Sequence, residues 1–506
     1  MAHFSLLFSN EDVRKRFYER KADITANEVV KDIRISSVLE EILKNTPDYP
    51  SEFFLYPPYD LATQNMRGEI MEEIYRSPAL ADSLCDAATE LYVLNKHRAN
   101  ALNTHNEDAR NRSFLSAVLE YCRAVRHLAE ITQGACAAGL RKLHDYAVKL
   151  SEKTENGVFK KAMSLSRRAD ELFSISLRFD FINQTVKTES RESGALSCRI
   201  SALAEEILGE KLNFTFSAVN NVRLSPLEEA LISSMKLRAP KLFEELDDFY
   251  KENKRLDFYS VIDLRSEILF YTGYLKFIKE YEKAGFSFSF AKTAGGALCF
   301  DGIYDVALAI KMKNADAVVT NGAELKKGDI FIVSGSNQGG KTTFLRAFGQ
   351  CAFLAALGLP VPAARYEAPF FDTIATHFNH AEKAGKSRLE EEIGRVKTIL
   401  SVASGRSLLL FNECFVGTRR GDAVLLSEKI FARLFELGAT CGFVTHFFEL
   451  PLRDERLVSF VAEVSGDGSE RRTYRISRRR PDGLAHAHSI AVRCGATYEQ
   501  LLAETK

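Results

Sequence analysis

Three short stretches of this chain carry residue types whose spacing could do chemistry. The first is Gly335-Ser336-Asn337-Gln338-Gly339-Gly340-Lys341-Thr342-Thr343, which follows a short apolar run and opens a helical pattern. It satisfies G-x-x-x-x-G-K-[ST] in the required strand-to-helix context. Glycines let the backbone curl so that several N–H groups face a polyanion at the positive end of the next helix. Lys341 adds a point charge for β- and γ-phosphates, and the Thr342 hydroxyl is a hard oxygen ligand suited to Mg²⁺. A tight turn that merely needs glycines does not account for the Lys-Thr pair. Residues 335 to 343 are therefore expected to bind ATP, with Mg²⁺ as its counter-ion.

The second stretch, Ser407-Leu-Leu-Leu-Phe411-Asn412-Glu413, is an apolar strand pattern ending in an acid. Glu413 is placed to orient or deprotonate an attacking water. Asn412 stands where an Asp would normally help hold the Mg²⁺ shell. Its amide can still hydrogen-bond a metal-bound water but brings no charge, so weaker Mg²⁺ binding and slow hydrolysis are expected. In the third, Gly442-Phe-Val-Thr445-His446, the histidine follows a strand, where such ATPases put a group that senses the γ-phosphate. An isolated histidine at a strand end is ordinarily just a surface or core residue; only this context makes His446 a candidate.

These groups need elements to hold them. From about residue 297 apolar runs at 330–333, 407–411 and 441–445 alternate with helical segments, the pattern of buried parallel strands. LVSFVAEV and RRTYRIS flank SGDGSE and read as a hairpin. The first two-thirds is mainly helical. From Ser113 to about Leu150, the residues Leu115, Val118, Leu119, Cys122, Val125, Leu128 and Ile131 recur at three- and four-residue spacings. A second long pattern begins after Pro226 and runs to about Ala284, with Pro240 expected to kink or interrupt it. Between them 174–182 and 212–216 alternate with period two, which places a small strand-containing insert at about 172–222. The expected organisation is a helical start over 1–120, lever helices with that insert over 121–296, and an α/β P-loop ATPase domain of ABC type over 297–506. No internal repeat is evident.

Composition sets the outer limits. A chain of 506 residues suggests roughly three domains. Lys plus Arg equals Asp plus Glu at 68 each, so any nucleic-acid binding must come from local patches rather than bulk charge. Nine scattered cysteines without a C-x-x-C pair fit a reducing cytoplasm better than a disulfide framework or a zinc site. No run approaches the roughly 18 apolar residues of a membrane span, and no signal pattern opens the chain. A cytoplasmic protein without membrane contact is expected.

Taken together, the motifs resemble those of the MutS family of DNA mismatch-repair ATPases. The family's Gly-Pro-Asn-Met-Gly-Gly-Lys-Ser-Thr appears as residues 335–343, and its Asn-x-Gly-Gly-Lys core is far more specific than a generic phosphate loop. Its Asp-Glu-x-x-x-Gly-Thr is similar to Asn412-Glu413-Cys-Phe-Val-Gly417-Thr418, and its Ala-Thr-His-x-x-x-Leu to Val444-Thr445-His446-Phe-Phe-Glu-Leu450. The signature Ser-x-Phe-x-x-Glu is matched loosely by Ser387-Arg-Leu-Glu-Glu-Glu392. Upstream, Gly302-Ile-Tyr-Asp-Val resembles the entry to the ATPase domain, and Phe53-Phe54-Leu-Tyr-Pro57-Pro58 with Arg67 the start of the helical core. The resemblance implies a homodimer joined through the ATPase domains, with Ser387 of one chain reaching the γ-phosphate held by the other. It also implies that the insert near 172–222 occupies the place of a DNA-gripping clamp, and that the partner is duplex DNA, mismatched or branched.

The departures matter as much. Phe17-Tyr18-Glu19 has the form of the family's mismatch wedge but sits in the charged helical stretch EDVRKRFYERK, and a coincidence is expected. Too few residues precede the core-like segment for a mismatch-reading or connector domain, so a short family form is expected. With Lys506 as the last residue, the nuclease-like domain of the ribosome-acting branch is not expected. Residues 172–222 hold five Lys/Arg and six Asp/Glu, whereas a phosphate-neutralising surface should be net positive. Arg478-Arg479-Arg480 reads as a solvated turn, His486 and His488 as surface residues, and Glu390-Glu391-Glu392 as a solvated helix face, although Glu392 aligns with the signature glutamate. The leading expectation is an ATP-gated dimeric clamp on DNA. The alternative is a nucleotide-dependent assembly protein with a ribosome, RNA or protein partner. An ABC-transporter subunit is disfavoured by the absence of Leu-Ser-Gly-Gly-Gln and by the long helical region.

Overall fold

The three apolar runs expected as buried strands lie side by side in one sheet. In the computed structural model, which describes residues 4–20, 24–155, 157–173, 176–180, 185–189, 232–233, 235–293, 295–378, 388–464 and 472–481, the strands are β1 (Ser176–Asp180), β2 (Thr185–Glu189), β3 (Lys292–Thr293), β4 (Ala297–Ile303), β5 (Asn321–Lys326), β6 (Ile330–Gly335), β7 (Arg365–Ala368), β8 (Thr373–Phe378), β9 (Ser407–Asn412), β10 (Thr440–Val444), β11 (Leu457–Val464) and β12 (Arg472–Arg478). The large sheet has the order β12-β11-β6-β10-β9-β8. All neighbours in it are parallel except β11 and β12, the expected hairpin. A second sheet has the order β3-β7-β4-β5.

Every residue of β6, β9 and β10 is buried, which explains why these strands read as continuous rather than alternating apolar runs. One face of the large sheet packs on helix Lys341–Ala356, where Phe331 and Phe460 meet Phe344, and Phe331 also meets Phe348. Phe300 of β4 meets Phe344 and Phe348 from the other side, so that helix lies between the two sheets. On the opposite face helices Arg388–Val402 and Arg420–Leu437 bury Val396, Ile399, Phe431 and Leu434 against Leu409, Phe411 and Phe443. Each such fully buried side chain contributes about 1.5–3 kcal/mol. The phosphate loop is thus anchored at both ends in buried elements, β6 and helix Lys341–Ala356.

The described chain divides into two compact units. One comprises Met1–Phe4, Asp82–Ala135 and Leu140–Arg265; the other comprises Ser5–Ala81, Cys136–Gly139 and Ser266–Lys506. The first is mainly helical. In it Phe114 of helix Glu107–Ile131 packs on Phe249 and Tyr250 of helix Pro240–Asn253 and on Phe258. The second holds both sheets, with helices including Glu11–Arg20, Ile35–Asn45 and Leu61–Arg76.

The helical expectations need two corrections. The pattern from 113 to 150 is two helices, Glu107–Ile131 and Ala138–Glu155. Thr132 turns its hydroxyl back onto the Leu128 carbonyl, and Gly134 at φ 77 takes the chain out of the helix. The pattern up to 284 is also divided, into Pro240–Asn253, Tyr259–Ile262 and Leu264–Lys283. Pro240 interrupts the pattern, as expected: helical residues 235–238 end before Ala239, and Pro240 starts a new helix in the first turn, where its missing N–H costs nothing. Its expected beginning after Pro226 lies outside the described residues.

Within the expected insert, β1 and β2 form an antiparallel ribbon, while 212–216 lies outside the described residues. The Phe17-Tyr18-Glu19 triplet belongs to helix Glu11–Arg20, and Phe17 is a core residue packed on Phe8 and Phe53. Arg478 ends β12 and Arg479 and Arg480 are exposed beyond it, whereas His486 and His488 lie outside the described residues. Among the described residues, no helix is long and apolar enough to cross a membrane.

Candidate functional site

Parallel strands deliver their C-terminal ends to the same edge of a sheet, and β6, β9 and β10 do so here. Beyond β6 the backbone turns through Gly335 at φ 117, Gln338 at φ 60 and Gly340 at φ 94, and helix Lys341–Ala356 begins. Gly335 and Gly340 adopt conformations that L side chains rarely take. At Gly339 the reason is space instead: a Cβ would sit 3.0 Å from the Ala462 methyl and from the Ser336 carbonyl oxygen.

Lys341 is buried and donates to the carbonyl oxygens of Gly335 and Ser336, at 2.8 and 3.0 Å. Burial pulls its pKa below the usual lysine value, and Glu413 opposes that shift. A polyanion on the loop would restore what burial removes. Next to it, Thr342 Oγ1 donates to Asn412 Oδ1 at 2.9 Å across the β6–β9 side of the site.

Past Asn412 the chain makes a tight turn with Glu413 at φ 55 and Phe415 at φ 62. The Glu413 N–H donates to the Val444 carbonyl of β10 at 2.9 Å, and its Oε1 lies 3.0 Å from His446 Nε2. Hydrogen bonding to His446 holds the Glu413 carboxyl below the usual glutamate range; burial pushes the other way, and Lys341 adds to the lowering. A base kept ionised beside a phosphate loop suits the polarising of a water. A cleft of about 530 Å³ opens here, lined among others by Tyr304, Leu308, Gln338, Lys341, Glu413 and Tyr474.

The chemistry of these donors fits ATP with Mg²⁺. The Ser336 hydroxyl is buried without a hydrogen-bond partner among the described residues, and the oxygens of Thr342 and Asn412 already meet. Thr342 and Asn412 would hold the cation through a hydroxyl and a neutral amide oxygen, and the cation would supply charge neutralisation of the phosphates.

The structure therefore brings together Gly335 to Thr343, Asn412, Glu413 and His446. Ser387 lies outside the described residues. Three contacts were not expected from sequence. Arg472 of β12 donates to the Gln338 side chain at 2.7 Å. Tyr474, at φ 57, lies against Gly340. Glu392, read as part of a solvated face, is buried and accepts from the Phe415 N–H at 2.6 Å, while Glu390 and Glu391 are exposed as expected. Its alignment with the signature glutamate was the one hint of this.

Residues 331–476 match the family model for MutS domain V. The α/β region of this chain is thus similar to MutS domain V over residues 331–476. Such domains are ATPases of ABC type, which implies ATP and Mg²⁺ binding. Over 254 residues, 49% of this chain, it is 28% identical to the DNA mismatch repair protein MutS of Bacillus licheniformis, covering 27% of that protein. It is 33% identical to the protein of the same name from Lactobacillus acidophilus over 29% of this chain and 18% of that protein. With that of Lactobacillus delbrueckii subsp. bulgaricus it shares 36% identity over 26% of this chain and 15% of that protein. The similarity to MutS is distant and partial, and the chain spans between 15% and 27% of these relatives.

Proposed function

We propose that this chain is a MutS-like ATPase that binds ATP and Mg²⁺ at residues 335–343 and uses them to gate a dimeric grip on DNA, mismatched or branched, in repair or recombination. The observation that carries this reading is the meeting of Lys341, Thr342, Asn412, Glu413 and His446 at one sheet edge inside the region similar to MutS domain V. Residues 335–343 cradle the phosphates, Thr342 and Asn412 hold the cation, Glu413 orients water, and His446 holds the Glu413 carboxylate while sensing the γ-phosphate. Ser387 acts in trans from the second copy of the domain. Residues 121–296 act as levers, and the insert at about 172–222, which contains β1 and β2, acts as the clamp.

Gel-shift and ATPase assays over homoduplex, mismatch, junction and RNA substrates test the proposal. Affinity for duplex or branched DNA is expected to depend on nucleotide and to fall steeply with salt. No DNA binding at low salt, with or without ATP, would overturn the DNA reading.

One observation favours a second reading, a nucleotide-dependent assembly protein on a ribosome, RNA or protein partner with weak hydrolysis. The oxygen bonded to Thr342 belongs to an amide, not a carboxylate. Restoring the charge with Asn412→Asp is expected to raise ATP turnover several-fold. Equal or lower turnover would mean that the site works around the amide, as a slow timer requires.

A further inference from the structure

The turn that presents Glu413 contains two non-glycine residues in the left-handed region, Glu413 and Phe415, with Cys414 between them. Each such residue costs on the order of 1 kcal/mol and persists only where surrounding contacts over-determine it. Three contacts do so. The Glu413 N–H is fixed to β10 through the Val444 carbonyl. Cys414 and Phe415 are buried in the core between the sheet and its outer helices. At the far end of the turn the Phe415 N–H points at the carboxylate of Glu392, which is 6% exposed, at 2.6 Å.

Glu392 is no part of the turn or of the sheet. It is the fifth residue of helix Arg388–Val402, the helix that begins directly after the segment carrying Ser387. A carboxylate accepting a backbone N–H makes a charge-assisted bond, roughly twice as strong as a neutral one. It is also directional, so a shift or rotation of the helix start drags the turn with it. The lever arm is short: one residue, Cys414, separates Phe415 from Glu413, whose own side chain meets His446 at 3.0 Å.

We infer that Glu392 is a positioning residue for Glu413, coupling the start of helix 388–402 to the water-orienting carboxylate within one chain. The inference rests on the proposed ATP hydrolysis and adds how that site learns the state of the helix facing it. It requires no change in how nucleotide is held, because the bond that carries it is made to the Phe415 N–H, outside residues 335–343.

The test compares Glu392→Ala with Glu392→Gln in the full chain. Glu392→Ala removes the acceptor, and kcat for ATP hydrolysis is expected to fall on the order of tenfold or more, with KM and ATP affinity within about twofold, as misplacement of a reacting group demands. Glu392→Gln keeps an oxygen for the Phe415 N–H, and kcat is expected to stay within about threefold of wild type. An unchanged kcat in Glu392→Ala overturns the inference. So does an equal loss of kcat and ATP affinity in both variants, which indicates general damage to the fold.

Amide hydrogen exchange of residues 412–418 provides a readout independent of turnover. It is expected to quicken in Glu392→Ala and not in Glu392→Gln, with exchange of residues 335–343 unchanged. If wild type binds ATP without hydrolysing it, the hydrolytic reading fails by itself, and exchange decides the coupling: the same rate at 412–418 in all three proteins overturns it.

Discussion

Two turns face each other across this site, and both need backbone that L side chains avoid. The phosphate loop meets the need largely with glycine, at Gly335 and Gly340. The turn after β9 meets it with Glu413 and Phe415, residues that accept strain because their N–H groups and the buried Phe415 side chain are tied to β10, helix 388–402 and the core. The first turn is built into the covalent chain and keeps its shape by composition. The second is held from outside, so its shape depends on whatever moves the elements that hold it. Under the proposed function, a rigid anion cradle next to an adjustable carboxylate would separate nucleotide binding from hydrolysis.

The sharpest way to break this division is to remove one charge from each side. Lys341→Ala is expected to weaken ATP binding about a hundredfold or more, since the cation that would face the phosphates is gone, and titration calorimetry with Mg²⁺ measures it. Unchanged affinity would sink the assignment of the loop. Glu413→Gln is expected to lower kcat by about a hundredfold or more while ATP binds as before, if Glu413 handles the proton of an attacking water. Joint loss of binding would mean that the two turns do not divide the work.

A smaller effect tests how the loop meets its conformational need. Gly340→Ala places a Cβ at φ 94 and is expected to cost about 1–2 kcal/mol of stability in urea unfolding. Space is not the cause, because the nearest atoms, those of Tyr474, would be 3.6 Å away. A variant as stable as wild type would show that this position needs no glycine.

The smallest effect is in pH. The Glu413 carboxyl titrates below its ordinary 4.5 in the folded chain, chiefly through His446. Around that pH the unfolded chain binds more protons, so stability rises with pH. The contribution is fully present above about 4.5 and is lost as pH falls through the folded value. Thermal unfolding of wild type and His446→Ala is therefore expected to differ at neutral pH and to converge in acid. A gap that widens in acid would contradict the sign.

Much of this was legible in the residues themselves. The phosphate loop was, because Gly-Gly-Lys-Thr encodes its conformation and its charge locally. So were β6, β9 and β10, because strands buried on both faces must be continuously apolar. The helices were visible as patterns but not as lengths, since the break after Ile131 depends on a glycine's φ and a threonine's side-chain bond rather than on periodicity. Glu392 was misread for the same kind of reason. In EEE at helical spacing every residue has the same local propensity, and only the docking of helix 388–402 decides which one turns inward.

By itself, then, the sequence determined what each turn is made of: a glycine-rich cradle with one lysine, and an acid after an apolar strand. Only the tertiary structure decided what each turn is tied to. Glycine's freedom is a property of one residue, whereas a left-handed Glu413 and Phe415 exist only because a β10 carbonyl and a buried carboxylate from a distant helix accept their N–H groups.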